Sequence, residues 1–447
     1  MIEPRTLKGF RDYLPEAMIP REKLIGIAQR VYRSYGFSPI DTPAMEYLEI
    51  LTGKGSEETD RQLYRFKDHG GRDVGLRFDL TVPLARFAAQ HINDLGTPFK
   101  RYHIGTVWRG ENTQRGRYRE FMQCDFDTIG TRSVVADIET GLVIHDLMQS
   151  IGIREFTIRL NNRMVLQGLL DKIGLADRAT AVLRAIDKLP KIGATKVAEE
   201  LKEHAQVTDA QASEVLALAS LHGGSCGDNE AMLKQVAGLV SGNAKGEEGV
   251  QRLREIVSGI AAAGVAPERL QIDVSIARGL DYYTGAVFET FLNELPTIGS
   301  VCSGGRYDNL AGTYTKQELP GIGASLGLDR LLAALEELGR LEKVRTPADV
   351  FIAFFDAERR NDYLRIAAQL RAAQIGVEFF PEPKKIGQQL KYADHRGYRA
   401  AVIIGDREWQ HSVCQLKNLA TTATEEVALD GEAKALIAAI RQMLEAR

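Results

Sequence analysis

Two long segments separated by a polar loop constrain the fold of this chain most strongly. Phe99 to Trp108 and Arg119 to Ile129 both alternate between apolar and polar side chains, which is the period of a β-strand with one buried face. Val74 to Asp79 has the same pattern. The alternation predicts that these segments are antiparallel strands of one mixed helix-and-strand core.

Changes of pattern along the chain predict its division into domains. At 447 residues, the chain is too long for one ordinary core. Residues 1–175 mix helices and strands, 176–268 contain short helical segments, and strand character resumes at 269–337. A charged linker, 338–348, precedes 349–447, where strands alternate with helices as in a small α/β domain. We therefore predict an α+β core with a helical insertion, followed by a C-terminal α/β domain.

Local signals place several elements within this plan. Arg21 to Tyr35 has helical periodicity, with Pro20 suited to its first turn and Gly36 to its C-terminal cap. Thr208-Asp-Ala-Gln211 has the pattern of a capping box. Val274 to Ala277 predicts a strand that leads into a glycine-flanked turn.

Composition limits the cellular context. Apolar residues make up 44% and charged residues 26% of the chain, as in soluble globular proteins. No apolar run approaches the ~20 residues needed to span a bilayer, and the N-terminus lacks the apolar stretch of a secretory signal. Four cysteines without CxxC spacing favour reduced thiols. We therefore expect a cytoplasmic protein without membrane contact.

A metal centre is not predicted from the histidine and cysteine pattern. His222 and Cys226 share a glycine-rich segment, but two potential ligands in one loop make a weak zinc site. An ordinary loop is the better interpretation of that segment.

Charge gives no general indication of nucleic-acid binding, because a dedicated binder is strongly basic and this chain has a net charge of −3. Two local clusters are basic, and each is equally consistent with a solvated surface. The clusters contain Arg101, Arg109, Arg115, Arg117 and Arg119, and then Lys384, Lys385, Lys391 and Arg396.

The most informative chemistry lies between Arg278 and Glu289, in the run Arg-Gly-Leu-Asp-Tyr-Tyr-Thr-Gly-Ala-Val-Phe-Glu, followed by Ser303-Gly-Gly-Arg-Tyr-Asp-Asn-Leu310. Arginine offers a permanent fork of donors to phosphate or carboxylate. A pair of tyrosines offers ring faces with hydroxyl tips to a small polar heterocycle. The structural alternative is a hairpin in which the tyrosines pack in the core and Arg278 pairs with Asp281 or Asp308.

Both runs resemble the two signature motifs of histidyl-tRNA synthetases, and the resemblance extends from Lys8-Gly-Phe-Arg-Asp12 into the C-terminal domain. That family belongs to the class II aminoacyl-tRNA synthetases, whose motif 2 is similar to Trp108-Arg-Gly-Glu111 with Arg117-Tyr-Arg-Glu-Phe121. Gly321 to Arg330 resembles motif 3, and Phe37 to Pro43 resembles motif 1. The resemblance implies an antiparallel-sheet catalytic core and a C-terminal α/β domain that binds the anticodon.

Other nucleotide-binding signatures are absent from the sequence. The chain has no GxxxxGK[ST] segment and no GxGxxG between a strand and a helix. His103-Ile-Gly-Thr106 lacks the second histidine of the class I synthetase signature. The class II interpretation is therefore preferred.

The resemblance implies which residues contact ATP. Arg109 and Arg278 are expected to be catalytic and to contact the α-phosphate from two sides. Glu111 is expected near the adenine amino group, Phe121 on the adenine ring, and Arg330 at the γ-phosphate. Mg²⁺ is expected with the nucleotide.

The resemblance also implies a histidine pocket. Its expected residues are Asp79, Leu80, Thr81, Gln123, Asp127, Arg278, Tyr282 and Tyr283. Asp127 lies four residues after Gln123, hence on the same face of one strand, where it can accept a proton from imidazole. The alternatives are a strand-end cap for Asp79 and a surface charge for Asp127.

Two positions depart from the most familiar bacterial members. Those members carry Pro-Glu-Gly-Thr where this chain has Phe78-Asp-Leu-Thr81, a form that resembles the eukaryotic and archaeal branch. Asn112 stands where those members place an arginine that meets the extra 5′ guanosine of their tRNA, so the resemblance does not imply that contact for this chain.

The implied function is ATP-dependent activation of L-histidine and its transfer to tRNA-His, by a homodimer that pairs through the Pro43 region. Two alternatives remain: a regulatory paralogue that binds a histidine-biosynthetic enzyme and lacks catalysis, and a plain RNA-binding or interaction module. Regulatory paralogues typically lack the C-terminal domain and the motif arginines, all of which this chain keeps.

Overall fold

The computed structural model describes residues 1–52, 61–219, 221, 228–276, 282–342 and 344–445. Its contacts divide the chain into two compact units, residues 1–11 with 23–341 and residues 12–22 with 342–447. Each unit has a hydrophobic core of its own. Arg278, Asp281, His222 and Cys226 lie outside the described residues, so the predictions made for them receive no structural account.

The described strands form an eight-stranded and a three-stranded sheet in the first unit and a five-stranded sheet in the second. In chain order they are β1 (Ser38–Pro39), β2 (Met45–Tyr47), β3 (Arg65–Lys67), β4 (Asp73–Leu76), β5 (Phe99–Trp108), β6 (Glu120–Ile129), β7 (Phe156–Asn162), β8 (Leu270–Ile272), β9 (Ala286–Leu292), β10 (Cys302–Tyr307), β11 (Gly321–Gly327), β12 (Val350–Ile352), β13 (Val377–Phe379), β14 (Ala400–Ile403), β15 (Val413–Asn418) and β16 (Thr424–Ala428).

The helices occur in both units. In chain order they are α1 (Pro15–Ser34), α2 (Leu48–Thr52), α3 (Thr81–Leu95), α4 (Val134–Ile151), α5 (Arg163–Lys172), α6 (Ala179–Asp187), α7 (Leu189–Ala205), α8 (Asp209–Ala219), α9 (Asn229–Val240), α10 (Ala244–Ala262), α11 (Leu328–Glu337), α12 (Arg360–Ala372), α13 (Ile386–Arg396), α14 (Asp406–His411) and α15 (Lys434–Glu445). Within the described part of the chain, no helix combines the length and apolarity that a membrane crossing requires.

The large sheet has the order β1-β5-β6-β11-β10-β9-β7-β8. Its six central strands pair antiparallel, and only the outer pairs β1 with β5 and β7 with β8 are parallel. β5 and β6 oppose each other from Phe99↔Ile129 to Trp108↔Glu120. The predicted antiparallel pair is therefore confirmed, as is the α+β class of the fold.

One face of this sheet forms the main core. Cys124 and Phe126 of β6 are fully buried on that face. Tyr32 of α1 packs on Phe126, with ring centroids 5.1 Å apart, and its hydroxyl donates a 2.9 Å hydrogen bond to the Cys124 carbonyl. The opposite face of the same strands is thereby left for polar side chains.

The second unit is the small α/β domain that the sequence predicts. β13, β12 and β14 are parallel, and β15 and β16 extend the sheet antiparallel. Phe351 and Val402 of the central strands are fully buried in its core. The sequence did not predict β16 or α15, which complete the domain.

Three local predictions can be compared with the structure. The capping box is confirmed, because Gln211 N donates to Thr208 Oγ1 at 3.3 Å and Thr208 N donates to the Gln211 side chain at 3.0 Å. The start of α1 was placed wrongly: the helix begins at Pro15, because proline at the first helical position loses no intrahelical bond. The predicted strand at 274–277 is also wrong for residues 274–276, because they belong to a turn. The Asp273 carboxylate stabilises this turn by accepting a 3.0 Å hydrogen bond from Ser275 N.

Arg306, the arginine of the Gly-Gly-Arg-Tyr-Asp motif, joins β10 to α4. Its Nε and Nη2 donate to the two oxygens of Asp137 at 2.9 and 2.7 Å, and its Nη1 donates to the Thr131 carbonyl at 3.0 Å. Both members of this pair are buried. Bidentate geometry makes such an interaction strong, so we assign Arg306 to stability rather than to chemistry.

Asp137→Ala is expected to lower the free energy of unfolding of the first unit by roughly 3–5 kcal/mol, because it removes the carboxylate that accepts two hydrogen bonds from a buried guanidinium and leaves as its carboxylate partner, among the described residues, only Asp308 at the longer distance of 3.3 Å. The measurement is urea unfolding followed by Trp108 fluorescence in a Trp409→Phe background, since Trp409 belongs to the second unit. Glu318→Ala is the control, because its 3.2 Å pair with Arg132 is exposed and is worth at most about 1 kcal/mol. Equal effects of the two substitutions would contradict a buried structural clamp.

Candidate active site

The polar face of β6 forms the floor of the candidate site. Gln123, Asp125 and Asp127 alternate with Cys124 and Phe126, so the first three point away from the core. All three line one cavity. Asp125 and Asp127 are 2% and 3% exposed. The interpretation of Asp127 as a surface charge is therefore wrong.

The neighbouring strand β11 makes room for these side chains. Gly323, Ser325 and Gly327 lie directly opposite Asp127, Asp125 and Gln123 respectively. A Cβ atom at Gly323 would lie 2.2 Å from the Asp127 Oδ1 atom, so the space that Asp127 occupies depends on glycine there. Gly323, within the segment that resembles motif 3, therefore makes room for a pocket carboxylate.

Two cavities open on this floor. The larger encloses about 820 Å³, part of it open to solvent, and the smaller about 690 Å³ on the same measure. Four residues line both cavities: Arg109, Gln123, Ser303 and Ser325. The cavities are therefore neighbours with a shared wall of polar side chains.

The larger cavity contains the residues predicted to bind ATP. Arg109, Glu111, Phe121 and Arg330 all line it. The Arg109 guanidinium lies 5.2 Å from the Phe121 ring centroid, and its Nε donates to the Phe78 carbonyl at 2.9 Å. Arg330 lies in the first turn of α11, where its Nη1 donates to the Ser300 carbonyl at 2.6 Å. The fold thus brings the motif 2 and motif 3 residues together.

The smaller cavity contains most of the residues predicted to bind histidine. Asp79, Thr81, Gln123, Asp127, Tyr282 and Tyr283 line it. Leu80 does not, because its side chain is fully buried in the core. The two tyrosine rings meet edge to face, with centroids 5.2 Å apart. The structure therefore brings together six of the predicted residues, while Leu80 only supports the backbone beside them.

The Asp79 carboxylate has two roles: it accepts a hydrogen bond at a helix start and it lines a cavity. Its Oδ1 accepts a 2.9 Å hydrogen bond from Val82 N at the start of α3, so it caps a helix, whereas the alternative considered was a cap at the end of a strand. The same carboxylate lines the smaller cavity. Helix capping thus fixes the carboxylate that faces the cavity.

Sequence reasoning missed several residues of this site. Tyr307 lines the smaller cavity, and its hydroxyl donates a 2.5 Å hydrogen bond to Asp127 Oδ1. It belongs to the Gly-Gly-Arg-Tyr-Asp motif, which was the available signal. Arg101, counted in a basic surface cluster, is in fact fully buried beside Asp127. The alternation along β5 could have indicated that Arg101 is buried beside Asp127, because the two residues lie opposite each other in the β5–β6 pair.

Burial dominates the electrostatics of the floor. Burial raises the pKa of the Asp125 carboxyl to about 7, with Arg101 opposing that shift and the charge of Asp127 adding to it. Burial also raises the pKa of Asp127, while Arg101 and the Tyr307 hydroxyl lower it. Burial raises the pKa of the Tyr307 and Tyr282 phenols well above the usual value, so both remain hydrogen-bond donors. The site thus combines neutral donors with carboxylates whose ionisation depends on Arg101.

The donor set fits a metal ion poorly. Among the described residues, no group of three or more His, Cys, Asp or Glu side chains is placed to hold a metal. Glu111 and Asp329 line the larger cavity, but Asp329 already accepts hydrogen bonds from Arg11 and Met122 N, both at 2.8 Å. Mg²⁺ commonly binds through substrate phosphates and a few waters. The cavity therefore fits an ion that enters with the nucleotide better than one held by the protein.

Gly323→Ala is expected to raise the dissociation constant of L-histidine, the ligand implied by the motifs, at least about 10-fold. The added methyl group would overlap the Asp127 carboxylate and also the Phe126 carbonyl oxygen, so both the carboxylate and the strand that carries it must shift. A hydrogen bond to a charged group is worth ~1.5–3 kcal/mol. Isothermal titration calorimetry measures the change, and the melting temperature reports any wider damage. Gly312→Ala is the control, because a Cβ atom there has open space. Unchanged histidine affinity in a folded Gly323→Ala variant would contradict the assignment of Asp127.

Comparison with known proteins agrees with this arrangement. The family model for histidyl-tRNA synthetase matches residues 9–331, and a model for an anticodon binding domain matches residues 349–439. The two matches correspond to the sheet that carries both cavities and to the small α/β domain.

Individual relatives match over almost the whole chain. A histidine–tRNA ligase from Rhodopirellula baltica is 64% identical over 442 residues, 99% of either chain, and one from Wolinella succinogenes is 46% identical over 419 residues, 94% of either chain. The crystal structure of histidyl-tRNA synthetase from Nostoc sp. PCC 7120 has a TM-score of 0.89 at 35% identity, covering 99% of this chain and 100% of that chain. By sequence and by structure, the chain belongs to the histidyl-tRNA synthetase family.

Proposed function

We propose that the chain catalyses the ATP-dependent attachment of histidine to tRNA-His at the two adjoining cavities. The observation that carries this proposal is the shared wall, because Arg109 and Gln123 line both cavities. An amino acid in the smaller cavity and a nucleotide in the larger one would meet at Arg109. That is the arrangement an adenylate-forming reaction requires.

The smaller cavity has the chemistry to bind histidine at both ends. Asp79, Thr81 and Gln123 are proposed to bind the α-ammonium group. Gln123 Nε2 donates to Ser325 Oγ at 3.0 Å, while its buried Oε1 has no hydrogen-bond partner among the described residues and is available to a cation. Asp127 is proposed to accept a proton from the imidazole ring, and Tyr282 and Tyr283 to enclose it.

The larger cavity is proposed to bind ATP. Phe121 would stack on adenine, Glu111 would accept from its amino group, and Arg330 would contact the γ-phosphate. Arg109 would contact the α-phosphate, supported by its place between the two cavities. Arg278, proposed for the opposite side of that phosphate and for the histidine carboxylate, rests on the sequence motif alone.

The proposed reaction has two steps. A carboxylate oxygen of histidine attacks the α-phosphorus, the bond to the β-phosphate oxygen breaks, and pyrophosphate leaves. The 3′ hydroxyl of the tRNA terminal adenosine then attacks the carbonyl carbon of the adenylate, loses its proton and expels AMP. Neither step needs a nucleophile from the protein, so the work is positioning and stabilisation of charge on the phosphate.

Mg²⁺ is proposed to accompany ATP and to offset the charge of its phosphates. The two carboxylates that line the larger cavity, Glu111 and Asp329, offer Mg²⁺ few protein ligands. The steps assigned here to Arg109 and Arg330 therefore concern direct contacts with phosphate oxygens.

A homodimer is proposed from the motif 1 region. Three large apolar side chains in the small sheet that follows Pro43 are exposed: Met45 by 45%, Tyr47 by 49% and Phe66 by 47%. Exposed apolar groups clustered in one region favour contact with another protein surface. A second copy of the chain is the partner that motif 1 implies.

The remaining assignments follow the sequence. We propose the division into a core at 1–175 and 269–337, an insertion at 176–268, a linker at 338–348 and an anticodon-binding domain at 349–447. A cytoplasmic location is proposed because tRNA charging serves protein synthesis. A catalytically inactive regulatory paralogue is less well supported, because Arg109 and the anticodon-domain match are both present.

The first test is exchange of radiolabelled pyrophosphate into ATP. Exchange should depend on histidine, and Arg109→Ala or Arg278→Ala should lower its rate about 10²–10³-fold, the usual cost of losing one preorganised donor. Arg109→Lys should recover little, because a point charge does not reproduce the guanidinium fork. Arg132→Ala, at an exposed arginine, is the control. Histidine-independent exchange, or none, would reject the proposed activity.

The second test separates tRNA binding from activation. Lys385→Glu with Lys391→Glu should lower the aminoacylation efficiency about 10-fold or more, because basic side chains contribute most of the affinity for phosphate backbones. Both lysines are exposed, at and within α13. Pyrophosphate exchange should remain unchanged, and Lys434→Glu on α15, at an exposed lysine of the same domain, is the charge-reversal control. Equal loss of exchange and aminoacylation would refute a role confined to tRNA.

A further inference from the structure

Arg101 is a fully buried arginine behind the floor of the histidine cavity. It lies on β5 directly opposite Asp127 of β6. Its Nη2 lies 2.7 Å from Asp127 Oδ2 and 4.0 Å from Asp125 Oδ2, and the same nitrogen donates to the Leu80 carbonyl at 3.3 Å. Arg101 does not line either cavity. Any effect it has on the ligand must therefore pass through another residue.

Stability alone explains this arginine poorly. The buried Nε and Nη1 atoms have no hydrogen-bond partner among the described residues. Removing a guanidinium from water costs several kcal/mol on general grounds, and well-packed apolar residues often replace buried ion pairs without loss. The interactions that Arg101 does make converge on the pocket carboxylates. That convergence indicates a role in the site.

Asp127 is held from two sides. The Tyr307 hydroxyl donates to Oδ1 at 2.5 Å, and Arg101 approaches Oδ2. Gly323 bounds the space in which the carboxylate lies, since any side chain there would overlap Oδ1. The rotation and the position of the carboxylate are therefore both restricted before a ligand enters. Such preorganisation strengthens binding by lowering its entropic cost.

We propose that Arg101 is a positioning residue for histidine recognition: it keeps the Asp127 carboxylate ionised and oriented, so that the pocket selects an imidazole that donates an N–H. This inference rests on the proposed function and adds a residue to it. Specificity for histidine then depends on a charge one layer below the residues that contact the ligand.

The groups around Asp127 determine what the loss of Arg101 would do. Asp125 lies beside Asp127 on β6, and Arg101 and His103 face these two carboxylates from β5. Further titratable groups around the carboxylates are the side chains of Tyr307 on β10, Tyr282, Tyr283 and Asp79. Burial lowers the pKa of His103 to about 3, with Arg101 and Arg77 adding to the shift, so this imidazole is neutral. Arg109 also lines this cavity, but among the described residues it is Arg101 that pairs with the carboxylates, at 2.7 Å from Asp127 and 4.0 Å from Asp125. Without Arg101, two buried carboxylates would share a proton near neutral pH.

The sign of the pH effect follows from this arrangement. Arg101 lowers the pKa of Asp127, and burial raises it. In Arg101→Met, Asp127 should therefore be protonated at pH 7 and recover its charge as the pH rises. Its defect in histidine binding should be largest near pH 7 and smaller near pH 9, a range in which free imidazole, with a pKa of about 6.5, is mostly neutral.

The experiment measures the KM values of histidine and ATP in pyrophosphate exchange, together with kcat, between pH 7 and 9. Arg101→Met should raise the histidine KM roughly 10- to 100-fold at pH 7, with the ATP KM within about twofold of the parent. Arg101→Lys keeps the charge and should recover part of the loss. Arg101→Met with Asp125→Asn should also recover part, because the remaining carboxylate has no like-charged neighbour.

Arg269→Met is the control for a merely structural effect. Arg269 is an arginine of the same unit whose side chain is 17% exposed, and its guanidinium lies 5.2 Å from the Phe156 ring, away from both cavities. Its loss should lower the melting temperature and leave the histidine KM unchanged at every pH. If Arg101→Met does not fold, Arg101→Gln provides the same pH comparison, because it also removes the charge but keeps an amide that can donate to the Leu80 carbonyl.

The measured KM values either support or reject the positioning role of Arg101. A histidine KM that is unchanged in Arg101→Met, or raised without pH dependence and without recovery by Asp125→Asn, overturns the role of Arg101. Parallel losses for ATP and histidine also overturn it, since they indicate general damage. If the parent chain shows no histidine-dependent exchange, the proposed function fails first, and that result is distinct from a failure confined to the variant.

Discussion

The register between β6 and β11 is the constraint on which the rest of the site depends. It places Gly323 opposite Asp127 and Ser325 opposite Asp125, so a carboxylate always faces a residue small enough to leave it room. A shift by one residue would reverse the faces of the strand and move Phe126 into the cleft. The core packing of Phe126 against Tyr32 and Phe37 therefore fixes the chemistry on the other side of the sheet.

The sheet also determines where two substrates would meet. Arg109 follows β5 directly and donates to the Phe78 carbonyl, and its guanidinium lines both cavities without an ion pair to any residue that the structure describes. The other arginines of the region differ in this respect. Arg306 has its donors filled by Asp137 and by main-chain carbonyls, whereas Arg101 is buried below the floor. One residue type thus serves chemistry, stability and positioning, according to the partners that the fold supplies.

The cluster of Arg101, Asp125, Asp127 and Tyr307 shows how a binding site departs from the rule that charges stay in water. Each member is costly alone, and the cost is offset only because the members neutralise and orient one another. Its members lie on β5, β6 and β10, and β5 and β6 pair over ten residues each, so regular strand pairing fixes the backbone beneath the cluster. Rigidity of this kind suits a site that must distinguish one small ring from others.

The sequence by itself determined the fold class, the family and several of the residues that line the two cavities. Alternation in β5 and β6, the class II motifs and the Arg-Gly-Leu-Asp-Tyr-Tyr and Gly-Gly-Arg-Tyr-Asp runs were enough, because they are local patterns. Only the tertiary structure decided that Leu80 is core, that Asp79 both caps α3 and faces the cavity, and that Tyr307 and Arg101 converge on Asp127. Those facts depend on contacts between residues far apart in the chain, since register and burial arise only when the strands pair and one face of the sheet is covered.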